Sequence, residues 1–302
     1  MKASDWLLPL LRQCSESFDA EKARVLLQSF SSQYVGMPRA DLIRRYIEYR
    51  LRDRGVVYGS PLAEGERAAW IDLGEGARAD AIFMALLRIK IELVLEVACF
   101  FEHCQGSGKP VADLLTVFAL FCEDPKTAEK CQARAEKSWD PARWKGLARK
   151  IEKAYRRRSF FEGNPILGLP VYNAFVYVDA KTLGRIAVVF FERGLDDPAA
   201  FAKIYAYREH ERELLLQTLL GLAQAENPLG VASRGVILRQ IKQAHLPRSV
   251  RKRLLAALEQ PVQALAVAAA VEDERSRDFL IEQVILGAIL DGHVSEREWV
   301  FI

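Results

Sequence analysis

Along most of the chain, apolar residues return every three or four positions with charged residues between them, as in residues 19 to 34 and 39 to 54. That is the period of an amphipathic helix, and the alternation of apolar and polar β-branched residues that marks a half-buried strand is almost absent. Further helices are predicted at about 79 to 103, 110 to 122, 125 to 137, 141 to 160, 171 to 193, 197 to 225, 229 to 245, 247 to 259, 261 to 273 and 276 to 290. Pro38 stands where a helix can begin, Gly55 to Pro61 reads as a loop, and Gly74 to Gly76 and Gly106 to Pro110 interrupt the pattern. The predicted fold class is all-α, a multi-helix bundle with room for two packed helical subdomains. The segments are an N-terminal helical stretch (1–75), a central helical domain (76–196) and a C-terminal helical region (197–302).

Two helices approach the length of a membrane span. Ile82 to Phe101 carries Arg88, Lys90, Glu92 and Glu96, and Ile166 to Phe191 carries Asp179, Lys181 and Arg185. Each charge near mid-bilayer costs ~2.5 to 3.5 kcal/mol, so neither segment should span alone. Arg88, Glu92 and Glu96, like Asp179, Thr182 and Arg185, recur at helical spacing, which predicts a charged stripe beside a wide apolar face. Core helices are the favoured reading, and insertion into a membrane interface the alternative.

Near its end the chain has Asp291-Gly292-His293-Val294-Ser295-Glu296-Arg297-Glu298. Ser295 with Glu298 three residues later fits a capping box at a helix start. Asp291 and Glu298 also offer the oxygen ligands that a hard divalent cation prefers, and Glu274, Asp278 and Glu282, one turn apart, could join them. For that acidic row, pairing with Arg275 and Arg277 is the plainer expectation. The pattern Asp-Gly-x-x-Ser-x-x-Glu after the apolar Ala288-Ile289-Leu290 resembles the signature of TerB-like (tellurite-resistance-type) helical domains, over about residues 265 to 302. The resemblance implies a helix-helix turn whose acidic residues are associated with metal binding.

The middle of the chain carries a second resemblance. Asn164-Pro165-Ile166-Leu167-Gly168-Leu169-Pro170 leads into an apolar helix with Asn173, followed by Thr182-Leu183-Gly184-Arg185-Ile186-Ala187 and Phe190-Phe191. With Leu86 to Ala98 and the 114 to 124 helix, this is similar to an EcsC-type domain over about residues 75 to 195. The likeness implies a bacterial protein without an assigned active site, linked to membrane or secretion functions. From the residues alone, Pro165, Gly168 and Asn173 read as structural: two fix or permit the turn, and a buried Asn is normally hydrogen-bonded within the protein.

With 43 Lys and Arg against 40 Asp and Glu, the 302-residue chain has a formal charge of only +3, so electrostatic binding must come from a local patch. One exists. Residues 143 to 158 hold Arg143, Lys145, Arg149, Lys150, Lys153, Arg156, Arg157 and Arg158 against one acid, Glu152, with Trp144 and Tyr155 interleaved. A basic helix with aromatics can lie on anionic lipid or follow a nucleic-acid backbone, or it can be an ordinary solvated face. A second basic run spans Arg239 to Arg253.

The five cysteines are odd in number and include no CxxC pair, which suggests reduced thiols in the cytosol. The first residues do not read as a secretory signal. Nucleotide-binding glycine loops, the GxSxG elbow and HExxH are absent, and the four histidines stand in no recognisable catalytic setting. Glu209-His210-Glu211 and Cys99-His103-Cys104 are weaker metal candidates. The expectation is a non-enzymatic bacterial helical protein, cytoplasmic and peripheral at the inner membrane, that meets an anionic membrane surface or a protein partner in a stress, defence or secretion pathway. It has no cofactor, or a divalent cation. Alternatives are a carboxylate metalloenzyme built on the C-terminal acids and a nucleic-acid-binding module built on 143 to 158.

Overall fold

The computed structural model describes residues 6–54, 75–103, 109–135, 141–158, 169–226 and 248–258, with isolated positions between 238 and 285. Among them no strand occurs, and the all-α class holds. The helices are α1 (Leu7–Ser17), α2 (Ala20–Ser32), α3 (Arg39–Asp53), α4 (Glu75–Phe100), α5 (Lys109–Phe121), α6 (Pro125–Ala135), α7 (Pro141–Arg158), α8 (Leu169–Arg193), α9 (Pro198–Glu226) and α10 (Arg248–Ala257). The chain divides into two compact units, Met1–Gly163 with Asp179–Tyr205 and Asn164–Val178 with Ala206–Ile302.

Helix α1 falls within the expected N-terminal helical stretch (1–75), although it is not among the helices placed individually. Pro9 occupies the third helical position, where the missing N–H is one that no helical carbonyl would have accepted. The helix forms because Leu7, Leu10, Leu11 and Cys14 make one buried face, packed against α4, α5 and α7. Aspartates start several helices. Asp19 accepts from the N–H of Lys22, Asp124 from that of Thr127, and Asp197 from that of Ala200; in the latter two, proline follows at the first helical position.

The first unit is organised around α4, which meets α1, α2, α3 and α5, while α5 also packs on α6 and α7. The apolar α4 and the described part of α8 are core helices. Leu87, Ile91, Val94 and Val97 of α4 are buried, as are Leu183, Ile186 and Ala187 of α8. No helix of the described residues is long and apolar enough to cross a membrane.

The expected charged stripes are only partly on the surface: Glu96, Asp179 and Thr182 are buried, whereas Arg88 is exposed and Glu92 and Arg185 are half-buried. Glu96 is tolerated inside because Arg50 of α3 grips both its oxygens, at 2.8 and 2.5 Å, and Tyr46 donates its hydroxyl at 3.0 Å. Glu96 in turn outweighs the effect of burial on Arg50 and raises its pKa; burial first, then Glu96, raises that of Tyr46. Lys90, also buried, donates to the hydroxyl of Tyr155 at 3.3 Å.

Two helix ends share a device. After α4, Glu102 has φ 62°, its N–H reaches Cys99 O at 3.2 Å and the N–H of His103 reaches Ala98 O at 3.0 Å. After α5, Glu123 has φ 55°, its N–H reaches Leu120 O at 2.8 Å and the N–H of Asp124 reaches Ala119 O at 3.0 Å. Both are Schellman motifs with a glutamate where glycine is the usual residue. They fix the directions of His103 and Asp124. Gly194 closes α8 in the same left-handed region at φ 70°.

Cys99, in the last turn of α4, is disulfide-bonded, which differs from the expectation of reduced thiols. Cys14, Cys122 and Cys131 are buried thiols outside any disulfide, and burial pushes the Cys131 thiol up to about 12.

In the second unit, Leu214, Leu215 and Leu220 of α9 and Val250 and Leu254 of α10 are buried. Arg253 of α10 holds both oxygens of Glu213 at 2.7 and 2.9 Å, and Gln224 donates to Ala257 O at 2.9 Å.

Candidate functional site

The basic run of residues 143 to 158 forms α7 and is divided sharply by burial. Trp144, Leu147, Ala148, Ile151, Glu152 and Tyr155 face the interior, and Arg143, Lys145, Arg149, Lys150 and Lys153 are exposed. The interleaved aromatics are therefore core residues. Trp144 is 2 % and Tyr155 0 % exposed, so neither can enter a bilayer or stack on a base.

Inward placement of the one acid matters most. Trp6 is the residue before α1 and its side chain gives no cap hydrogen bond, so the first amides of that helix need an acceptor from elsewhere. Glu152 supplies it: its Oε2 accepts the N–H of Trp6 at 3.3 Å and that of Leu7 at 3.5 Å. A carboxylate at a helix N-terminus is also favoured by the helix dipole. Arg156 follows it inward, 3.4 Å from Glu152 Oε1 and 5.3 Å over the Trp6 ring. With Glu152 withdrawn, the charged side chains on the exposed side of α7 are all basic among the described residues.

Helix α6 packs on α7 and adds exposed Lys126, Lys130 and Arg134, with Glu129 as its exposed acid. Arg134 donates to the carbonyl of Arg143 at 2.7 Å, which ties the end of α6 to the start of α7. Lys150 is 2.6 Å from both Asp124 Oδ2 and Thr127 Oγ1. Burial raises the pKa of Asp124, but hydrogen bonds from Lys150 and Thr127 and the charge of Lys150 outweigh it and hold the carboxyl below its ordinary value. Lys150 thus anchors the helix pair as well as contributing charge.

Of the six residues expected to bind an anionic surface, Arg149, Lys150 and Lys153 lie on this face and Arg156 turns inward. The side chains of Arg157 and Arg158 lie outside the described residues. Among the acids considered for a metal, Asp278 is exposed and Glu282 half-buried, while Glu274, Asp291 and Glu298 lie outside the described residues. Pro165, Gly168 and Ser295 do so too, and Asn173 is described only as part of α8. Among the described residues no three His, Cys, Asp or Glu side chains are grouped as a metal site would need. In the Glu209 to Glu213 stretch, His210 is exposed and Glu211 buried, and Glu213 is held by Arg253.

One grouping escaped the sequence reading. Ser15 at the end of α1, His103 after α4 and Asp113 of α5 line a single cavity of about 60 Å³ in the first unit, with Phe18, Leu95 and Phe191 among its walls. They are far apart in sequence and belong to no common motif. Comparison with family models, with curated proteins and with solved structures finds no match for this chain.

Proposed function

We propose that the protein is a non-enzymatic helical module that docks peripherally on an anionic membrane surface through the basic face of α6 and α7. One observation carries the reading: the only acid within residues 143 to 158 is spent on capping α1, so every charged side chain that α7 itself contributes to its described outer side, Arg143, Lys145, Arg149, Lys150 and Lys153, is basic, Lys150 being also paired with Asp124. A base near an anionic leaflet contributes about 1 kcal/mol, so a handful on one face suffices for reversible attachment. The attachment is electrostatic, because the aromatics of α7 and the described apolar side chains of α4 and α8 are committed to the core. The EcsC-like and TerB-like character proposed for residues 75 to 195 and 265 to 302 agrees with a role at the inner membrane surface in a bacterium.

Co-sedimentation with phosphatidylserine-rich and phosphatidylcholine vesicles at low and physiological salt, with a DNA duplex as competitor, tests this. Binding to the anionic vesicles alone, weakening with salt and surviving the competitor, is expected. Equal binding to both vesicles, or complete displacement by DNA, would overturn it.

A further inference from the structure

The second compact unit carries basic charge of its own, which the docking of α7 leaves unused. Helix α10 (Arg248–Ala257) contains four bases, Arg248, Arg251, Lys252 and Arg253, and no acid. Val250 and Leu254, one turn apart, are buried and set which side of the helix faces inward. Arg248 and Lys252 fall on the opposite side and are exposed, with Arg251 half-buried on the flank.

Only one of the four bases is consumed within the unit. Arg253 donates from Nε and Nη2 to the carboxylate of Glu213 at 2.7 to 3.1 Å. Arg248, Arg251 and Lys252 form no ion pair with a carboxylate among the described residues. Nor do they serve the helix: Arg248 and Arg251 stand in its first turn, where the dipole disfavours positive charge and no acid offsets it.

We propose that Arg248, Arg251 and Lys252 form a second contact with anionic lipid, so that each compact unit has a lipid contact of its own; the inference rests on the membrane reading of α7. Charge complementarity selects an anionic occupant, and the lack of any other recognition element narrows it. A protein partner is held by aromatic or apolar anchors, and a single nucleic-acid strand stacks on aromatics. Helix α10 has no aromatic residue, and none of the exposed large hydrophobic side chains lies on it. A leaflet of anionic headgroups needs only bases close to its surface. A nucleic-acid duplex, the remaining polyanion, is the competitor in the test.

The full chain should be titrated with phosphatidylserine-rich vesicles at low salt, with a DNA duplex as competitor, as wild type, as the α10 variant Arg248→Glu, Arg251→Glu, Lys252→Glu and as the α7 variant Lys145→Glu, Arg149→Glu, Lys153→Glu. Reversing the three bases of α10 should weaken vesicle binding by at least about a hundredfold. Its melting temperature should not fall, because acids in the first turn of a helix are favoured by the dipole. Should the triple variant not fold, Arg248→Glu with Lys252→Glu, both at exposed positions, decides the question with an expected loss of about thirtyfold. An α10 variant that binds like the wild type while the α7 variant is weakened would overturn the second contact and leave the first standing. Absence of binding by the wild type, or its complete displacement by the duplex, would overturn both.

Discussion

The carboxylate of Glu152 accepts the backbone N–H of Trp6 at 3.3 Å across 146 residues of chain. The contact ties the start of α1 to α7, satisfies amides that Trp6 cannot cap itself, and removes the one negative charge from an otherwise basic surface helix. Stability and surface charge are thus set by the same side chain.

Glu152→Ala should lower stability by about 1 to 3 kcal/mol, because it leaves buried amides without their acceptor and Arg156 without its ion-pair partner. Glu152→Gln, which keeps an oxygen for the amides but loses the charge that meets the helix dipole and Arg156, should cost clearly less. Urea unfolding of the two variants checks the order; equal losses would mean that charge, and not acceptor capacity, is what α1 needs.

The Arg50–Glu96 pair should behave as a buried ion pair. Removing one partner by Arg50→Ala leaves a buried carboxylate and should cost about 3 to 5 kcal/mol, while Arg50→Met with Glu96→Leu should recover most of it. Thermal denaturation of the single and double variants measures this, and strict additivity would contradict the pairing.

Gly184 of α8 lies where a methyl group would meet Ile47 of α3 at 3.0 to 3.2 Å. Ile47 is 1 % exposed and stiff about χ1, so it cannot yield. Gly184→Ala should therefore destabilise by about 1 kcal/mol despite its better helix propensity, and by less when Ile47→Val removes the nearest atom. A stabilised Gly184→Ala would show that the two helices can separate.

Asp124 gives a pH dependence. Its folded pKa lies below the ordinary value of 3.8, so its contribution is complete above about pH 4 and lost as pH falls through the depressed folded value. The stability difference between wild type and Asp124→Asn, followed by urea unfolding, should be largest near neutrality and shrink at acid pH. A difference that grows on acidification would contradict the Lys150 and Thr127 assignment.

Helix positions were legible where apolar period and start signals agreed, as for α6 with Asp124-Pro125 and for α9 with Asp197-Pro198. Helix α1 was legible only as part of a helical N-terminal stretch, because its apolar run is short and holds a proline, harmless here at the third helical position. Burial of charge was not legible. Glu96 and Glu152 read as surface acids until partners 46 and 146 residues away are known, and the aromatics of α7 read as surface groups until α1 and α5 are packed on it. Ser15, His103 and Asp113 share no motif, since tertiary packing alone makes them neighbours.

The central claim is that exposed cations of α7, not apolar insertion, hold the protein on a membrane. Flotation of the triple variant Lys145→Glu, Arg149→Glu, Lys153→Glu with phosphatidylserine-rich vesicles tests it most directly, with the melting temperature as a control for folding. At about 1 kcal/mol per base, reversing three should weaken binding by at least about a hundredfold while the melting temperature stays near that of the wild type. A folded triple variant that floats as well as the wild type would contradict the account.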